Sequence, residues 1–137
     1  MEKKFEDWSN LKKKLDSHQK SPSFEEREIW WCSIGINVGH EENGKSDLFS
    51  RPVLVVRKFN RHMFLGVPLT SKIKEHHKFY HKINFKDKEQ SVMISQIIVW
   101  ESKRLTRMKG KLSAEQFGEV RNLLSEMILG KYPTPHF

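Results

Sequence analysis

Between residues 28 and 100 the apolar residues come in short runs, each cut off by a polar turn, and no run is long enough for a buried helix. That pattern demands short strands. Glu28 to Ile36 holds Ile29, Trp30, Trp31, Ile34 and Ile36, an aromatic and β-branched set that predicts a strand. Gly39 to Ser50 is polar and turn-rich, and reads as a loop long enough to carry function. Pro52-Val53-Leu54-Val55-Val56 is a buried strand, Phe59 to His62 a turn, and Met63 to Leu69 a third strand that pairs with it. A weaker strand at Tyr80–Phe85 and a stronger one at Ser91–Trp100 follow, parted by the turn-prone Lys86-Asp87-Lys88-Glu89. The expectation is a sheet of about five strands.

Two segments have helical period instead. Ser113 with Gln116 three residues on forms a capping box, and Phe117, Val120, Leu123, Leu124, Met127 and Ile128 continue at helical spacing until Gly130 and Pro133 end the run. At the amino terminus Phe5, Trp8, Leu11 and Leu15 recur every three or four residues, and Ser21-Pro22-Ser23 stops them. Short antiparallel strands with amphipathic helices make an α+β chain: a small, strongly bent β-barrel with an N-terminal and a C-terminal helix packed outside. At 137 residues this is one barrel domain over residues 25–137, with a helical extension over 1–24.

The charge is unevenly placed. Residues 51–90 hold ten basic side chains against three acids, and residues 101–111 five against Glu101, whereas residues 21–50 hold six acids against Arg27 and Lys45. A basic face on the middle of the chain points to a polyanionic partner; the plainer reading is that these lysines keep a small domain soluble. Cys32 is the sole cysteine, which excludes an internal disulfide and a cysteine-rich zinc module. With no signal peptide or membrane span in the pattern, a soluble, cytoplasmic protein is expected.

Candidate chemistry narrows from there. His77 and His81 stand at the i, i+4 spacing of two ligands on a helix, but no third ligand follows at a recognisable spacing, so no metal is expected. No phosphate-binding glycine loop occurs, so nucleotide hydrolysis has no support. Arg51 opens one buried strand and Thr70 closes another. If the two strands run antiparallel, both residues lie at the same end of the sheet, beside the long loop. Taken alone, Arg51 also reads as a structural ion pair and Thr70 as a turn hydroxyl bonded to its own backbone.

Glu28-Ile29-Trp30-Trp31, the glycine-led acidic loop, Ser50-Arg51-Pro52-Val53-Leu54-Val55-Val56, Val67-Pro68-Leu69-Thr70-Ser71, Ser95-Gln96 and Lys103-Arg104-Leu105 occur in an order and spacing that resemble the MazF/PemK toxins of bacterial toxin–antitoxin systems. The match runs over roughly residues 27–129 and leaves the amino-terminal helix outside. The resemblance implies a homodimer of SH3-like barrels that acts as a sequence-specific endoribonuclease. It would cut single-stranded RNA without a metal or other cofactor, using the ribose 2′-OH as nucleophile. It implies phosphate stabilisation by Arg51, with Thr70 as the second catalytic residue, hydrogen-bonded to the reacting phosphate. His40 and Glu41 would lie on the loop bordering the RNA, one of them a base or a base-edge reader. Ser71, Lys72, Ser95, Gln96 and Arg57 complete the expected substrate contacts. An acidic antitoxin protein lying across the basic groove is the implied partner.

The chain also departs from the pattern. Ser95 stands where many members have an acid, Met93 where some have an arginine, and Ile98 where an arginine is common. An Asp/Arg pair cannot operate there. The competing reading is accordingly a non-catalytic RNA- or protein-binding module on the same barrel. A DNA-binding regulator has no helix-turn-helix spacing in its favour.

Overall fold

A computed structural model describes residues 21–33, 50–73 and 78–131. Seven strands and one helix occur in these segments: β1 (Glu28–Ser33), β2 (Ser50–Lys58), β3 (Met63–Thr70), β4 (Tyr80–Phe85), β5 (Lys88–Met93), β6 (Ile98–Glu101), β7 (Leu105–Lys111) and α1 (Ala114–Ile128). All pairings are antiparallel, in the order β4-β5-β3-β2-β1-β7, with β6 on β3. The amphipathic segment expected over the first twenty residues, the last part of the first predicted strand and the loop to residue 49 lie outside the described residues. The described helix is not long and apolar enough to cross a membrane.

Five expected strands become seven for two reasons. Ser91–Trp100 reads as one apolar run, yet β5 pairs with β3 at Leu69 and Thr70 while β6 pairs with β3 at Met63 to Gly66. Both share one edge of β3, so the chain must step along that edge between them, and a 3-10 turn at Ile94–Gln96 makes the step. Leu105–Lys111 escapes notice because, as an edge strand, it buries Leu105 and exposes most of its charged remainder. Its sequence reads as a charge run rather than as alternation.

The expected closed barrel is an open, curled sheet. Among the described residues no ladder joins its two ends, β4 and β7. They meet through side chains instead. A Cβ placed on Gly110, whose φ of +148° suits glycine, would lie 2.8 Å from Phe85 Cζ and 3.2 Å from Lys86 Cε. An aromatic ring thus fills space that strands must share at about 4.8 Å to pair.

The central strands are covered on both faces, which accounts for the unbroken apolar run of β2. Leu54 and Val56 join Ile29, Val67, Leu69, Ile83, Phe85, Val92, Ile94 and Leu112 beneath Phe117, Val120 and Leu124 of α1. Val53 and Val55 face the other way, among Phe24, Trp30, Cys32, Phe64, Trp100 and Leu105. Each fully buried large side chain contributes about 1.5–3 kcal/mol relative to exposure. The second cluster depends on Gly66: a Cβ there would meet Phe64, Val53 and Trp100 at under 3.0 Å, and the Trp100 indole N–H donates to the Gly66 carbonyl at 3.2 Å.

Local signals fix the connections. Asn60 Oδ1 accepts from the backbone N–H of His62 and Met63, closing the β2–β3 turn. Lys86 and Asp87 both have positive φ, 52° and 64°, the backbone of a two-residue hairpin turn; β4 ends at Phe85 as expected, whereas β5 begins at Lys88, inside the expected turn. Ser113 caps α1 by accepting from the Gln116 N–H at 3.3 Å. The Gln116 amide also bonds the N–H and the carbonyl of Asn84 on β4, tying the helix start to the sheet. Gly130, at φ 73°, ends the helix, with its N–H on Met127 O and the Lys131 N–H on Glu126 O.

Candidate active site

The β2–β3 ladder pairs Val53 with Pro68 and Leu54 with Val67, and two residues further toward its end the same register sets Arg51 opposite Thr70. Arg51 pairs in turn with Cys32 on β1, Thr70 with Ser91 on β5, and Ser91 with Lys82 on β4. Polar residues therefore form a row across four strands. Alternation sets their face: Leu54, Leu69 and Val92 point toward α1, so their neighbours Arg51, Thr70, Ser91 and Met93 take the opposite face.

Arg51 is half-buried, and among the described residues its hydrogen-bonding neighbour is a soft one, Met93 Sδ at 3.8 Å from Nη1. No described carboxylate lies within ion-pairing distance of it. Its remaining guanidinium donors are positioned for an oxyanion, and phosphate suits their planar fork. The Thr70 hydroxyl accepts the Lys72 N–H at 3.2 Å. This is the turn bond of the plainer reading, and it leaves the hydroxyl proton available to a ligand.

Ser71 and Lys72 are exposed on the bend after β3. Ser95 and Gln96 are exposed on the 3-10 turn that follows Met93, at the Arg51 end of the sheet. Arg57 does not join them. It lies six residues along β2, about 20 Å away at the usual strand rise, with Nη1 4.0 Å from Glu26 Oε2. His40, Glu41 and His77 lie outside the described residues. His81 faces the helix side, its Nε2 3.5 Å from Glu119 Oε1 without hydrogen-bond alignment. Among the described residues no group of three His, Cys, Asp or Glu is placed to hold a metal ion.

Cys32, although beside Arg51 in the ladder, offers no nucleophile. Burial pushes its thiol up to about 12, against a smaller opposing pull from Arg104, so the thiolate is scarce near neutral pH. Ser91, Lys82 and Tyr80 are the members of this face that sequence reading missed. Tyr80 pairs with Met93, Lys82 reaches Glu89 at 3.4 Å, and Ser91 is 1% exposed. Their place follows from the β3–β5 and β4–β5 ladders, which join segments distant from Arg51 in sequence and leave no local signal.

The fold that carries these residues has known counterparts. The chain belongs to the family of PemK-like, MazF-like toxins of type II toxin–antitoxin systems, whose model matches residues 25–128. That family consists of RNA-cleaving toxins. The fold is similar to that of MazF from Deinococcus radiodurans, at 20% identity and a TM-score of 0.59, over 80% of this chain and 98% of that one. It is similar to the Mycobacterium tuberculosis toxin MazF-mt6, at 15% identity and a TM-score of 0.56, over 74% of this chain and 96% of that one. A mycobacterial endoribonuclease solved with its cognate antitoxin aligns at 17% identity and a TM-score of 0.59, over 83% of this chain and 99% of that one. No curated protein matches by sequence.

Proposed function

We propose that this chain is a sequence-specific endoribonuclease that cuts single-stranded RNA by attack of the ribose 2′-OH on the adjacent phosphorus. The 2′-OH loses its proton as the new O–P bond forms, and the bond to the 5′-oxygen breaks as that oxygen gains a proton. The products are a 2′,3′-cyclic phosphate and a 5′-hydroxyl. Charge gathers on the non-bridging oxygens between those events, so the site needs fixed cations and donors aimed at the phosphate. Arg51 fills the first role and the Thr70 hydroxyl the second. The observation that carries this reading is the β2–β3 register, which, continued two residues past the Val53–Pro68 pair, brings a half-buried guanidinium without a described carboxylate partner opposite a hydroxyl at one end of the sheet.

Ser71, Lys72, Ser95 and Gln96 contact the substrate around that centre, and His40 or Glu41 supplies the base or reads a base edge. The protein works as a cytoplasmic homodimer, held inactive by an antitoxin whose acidic segment competes with RNA for the basic surface. No metal takes part in the reaction.

The test is incubation of the purified protein with a long single-stranded RNA in EDTA, beside Arg51→Ala, followed by mapping of the fragment ends. Discrete cuts leaving 5′-hydroxyl ends, reduced by at least ~100-fold in the variant, support the proposal. RNA affinity should change little, since one phosphate contact is a small part of the total. RNA that stays intact with EDTA and with added divalent metal, yet binds in a salt-dependent way, would instead favour the non-catalytic binding module.

A further inference from the structure

The polar row that Arg51 opens does not end at Thr70. The ladders carry it to Ser91 on β5 and from there to Lys82 on β4. Ile83 and Phe85 point toward α1, so alternation sets Lys82 on the Arg51 face, together with Tyr80. Short side chains, Thr70 and Ser91, occupy the middle of the row, and long cations occupy its ends. Both cations lean inward over β5. Arg51 Nη1 lies 3.8 Å from Met93 Sδ, and Lys82 Nζ lies 3.4 Å from Glu89 Oε2. Met93 and Glu89 are four residues apart on that strand, roughly 13 Å, with Ser91 midway between them. A short stretch of extended RNA spans that distance.

The plainer account of Lys82 is a surface ion pair with Glu89. Both side chains are about half exposed, and a pair in that setting adds little to stability. Its carboxylate is therefore readily exchanged for a phosphate oxygen, which accepts from the same ammonium.

We propose that Lys82 is a further substrate-binding residue, holding a phosphate that flanks the scissile one, with Glu89 covering it until RNA arrives. The proposal rests on the endoribonuclease reading. Two features favour RNA over an acidic peptide as the occupant. The row is continuous, on one face, with Arg51 and Thr70, so a strand cut there is already laid over this part of the sheet. Tyr80, half-buried, also stands two residues from Lys82 on the same face, and an aromatic ring beside a phosphate contact is what a stacking base uses.

The experiment uses the full chain and an RNA oligonucleotide carrying its mapped cut site. One phosphate at a time, other than the scissile one, is replaced by an uncharged methylphosphonate, placed after a 2′-deoxy sugar to keep it intact; the deoxy sugar alone is the control. With the wild-type protein, KM should rise by at least ~5-fold at the linkage that Lys82 holds. Lys82→Gln should raise KM for the unmodified RNA by the same factor, with kcat within about twofold of wild type. In that variant the methylphosphonate at this one linkage should have no further effect, while the other linkages keep theirs. Glu89→Gln, which uncovers the lysine, should lower KM, and the double variant should behave as Lys82→Gln. A double variant that recovers the wild-type KM would overturn the proposal, because Lys82 would then serve only to neutralise Glu89. So would a Lys82→Gln protein in which every linkage keeps its effect, or one that loses affinity for polyglutamate but not for RNA, which would assign the lysine to an acidic protein. Failure of the wild-type protein to cut any RNA would sink the endoribonuclease reading separately. The salt slope of single-stranded RNA binding, expected to fall in magnitude by ~0.7 in Lys82→Gln, then decides the lysine.

Discussion

The same chemical change, glycine to alanine, should have opposite effects at two positions of this fold. At Gly66 the new methyl would lie 2.7 Å from Phe64 Cε2, 2.8 Å from Val53 Cγ1 and 2.9 Å from Trp100 Cδ1. Those atoms belong to side chains of the second core cluster, of which Val53 and Phe64 are fully buried, so none can swing into solvent. Overpacking of this kind costs about 1–3 kcal/mol, and three simultaneous contacts put Gly66→Ala near the top of that range. At roughly 3–4 °C per kcal/mol for a chain this size, Tm should fall by about 10 °C. At Gly118, inside α1, nothing lies within 4 Å of the added methyl. There the gain is backbone entropy, about 0.5–1 kcal/mol, and Tm should rise by about 2–3 °C. Paired thermal and urea denaturation of the two variants measures both effects. A Gly66→Ala protein within about 0.5 kcal/mol of wild type would refute the packing argument, because it would mean that the second cluster yields to an added methyl.

Three further outcomes follow from local geometry. Asp87→Gly should stabilise the protein by no more than about 0.5 kcal/mol in thermal denaturation, since glycine adopts the positive φ at this second turn position without the residual steric cost an aspartate carries. Cys32 should resist a thiol reagent in the native state at pH 8 and react on unfolding. Up to about pH 9 both states keep the thiol; above that the unfolded chain ionises first, so stability falls as pH rises toward 12. Thr70→Val should lower the cleavage rate by about 100-fold while changing stability by no more than about 1 kcal/mol, since the hydroxyl bonds a single exposed N–H of the turn; parallel losses of rate and fold would contradict its role at the phosphate.

What the sequence disclosed was what periodicity and caps encode. The β2–β3 hairpin was readable because both strands are apolar runs around a polar turn, and α1 because Ser113 and Gly130 bracket a helical stripe. The adjacency of Arg51 and Thr70 needed only an antiparallel assumption. β7 was hidden because an exposed edge strand carries little apolar signal. The break between β5 and β6 was hidden because it arises from competition for one edge of β3, which no local pattern records. Ser91 and Lys82 depend on pairing between distant segments, and Arg57, alike in sequence to other basic candidates, proved to sit at the opposite end of its strand.

The sharing of β3 by three partners also orders the folding reaction. Its ladder with β2 closes across a turn of a few residues, whereas β6 joins it from nearly forty positions away, with Met63 opposite Glu101. The pairing of Glu28 with Lys111 spans most of the described chain, so it carries the largest loop-closure entropy. The hairpin therefore belongs to the folding nucleus and the β1–β7 ladder to the final steps. Substitutions around Asn60 should slow refolding, and those along β7 should mainly hasten unfolding, which makes β7 the strand that governs how long the native state persists.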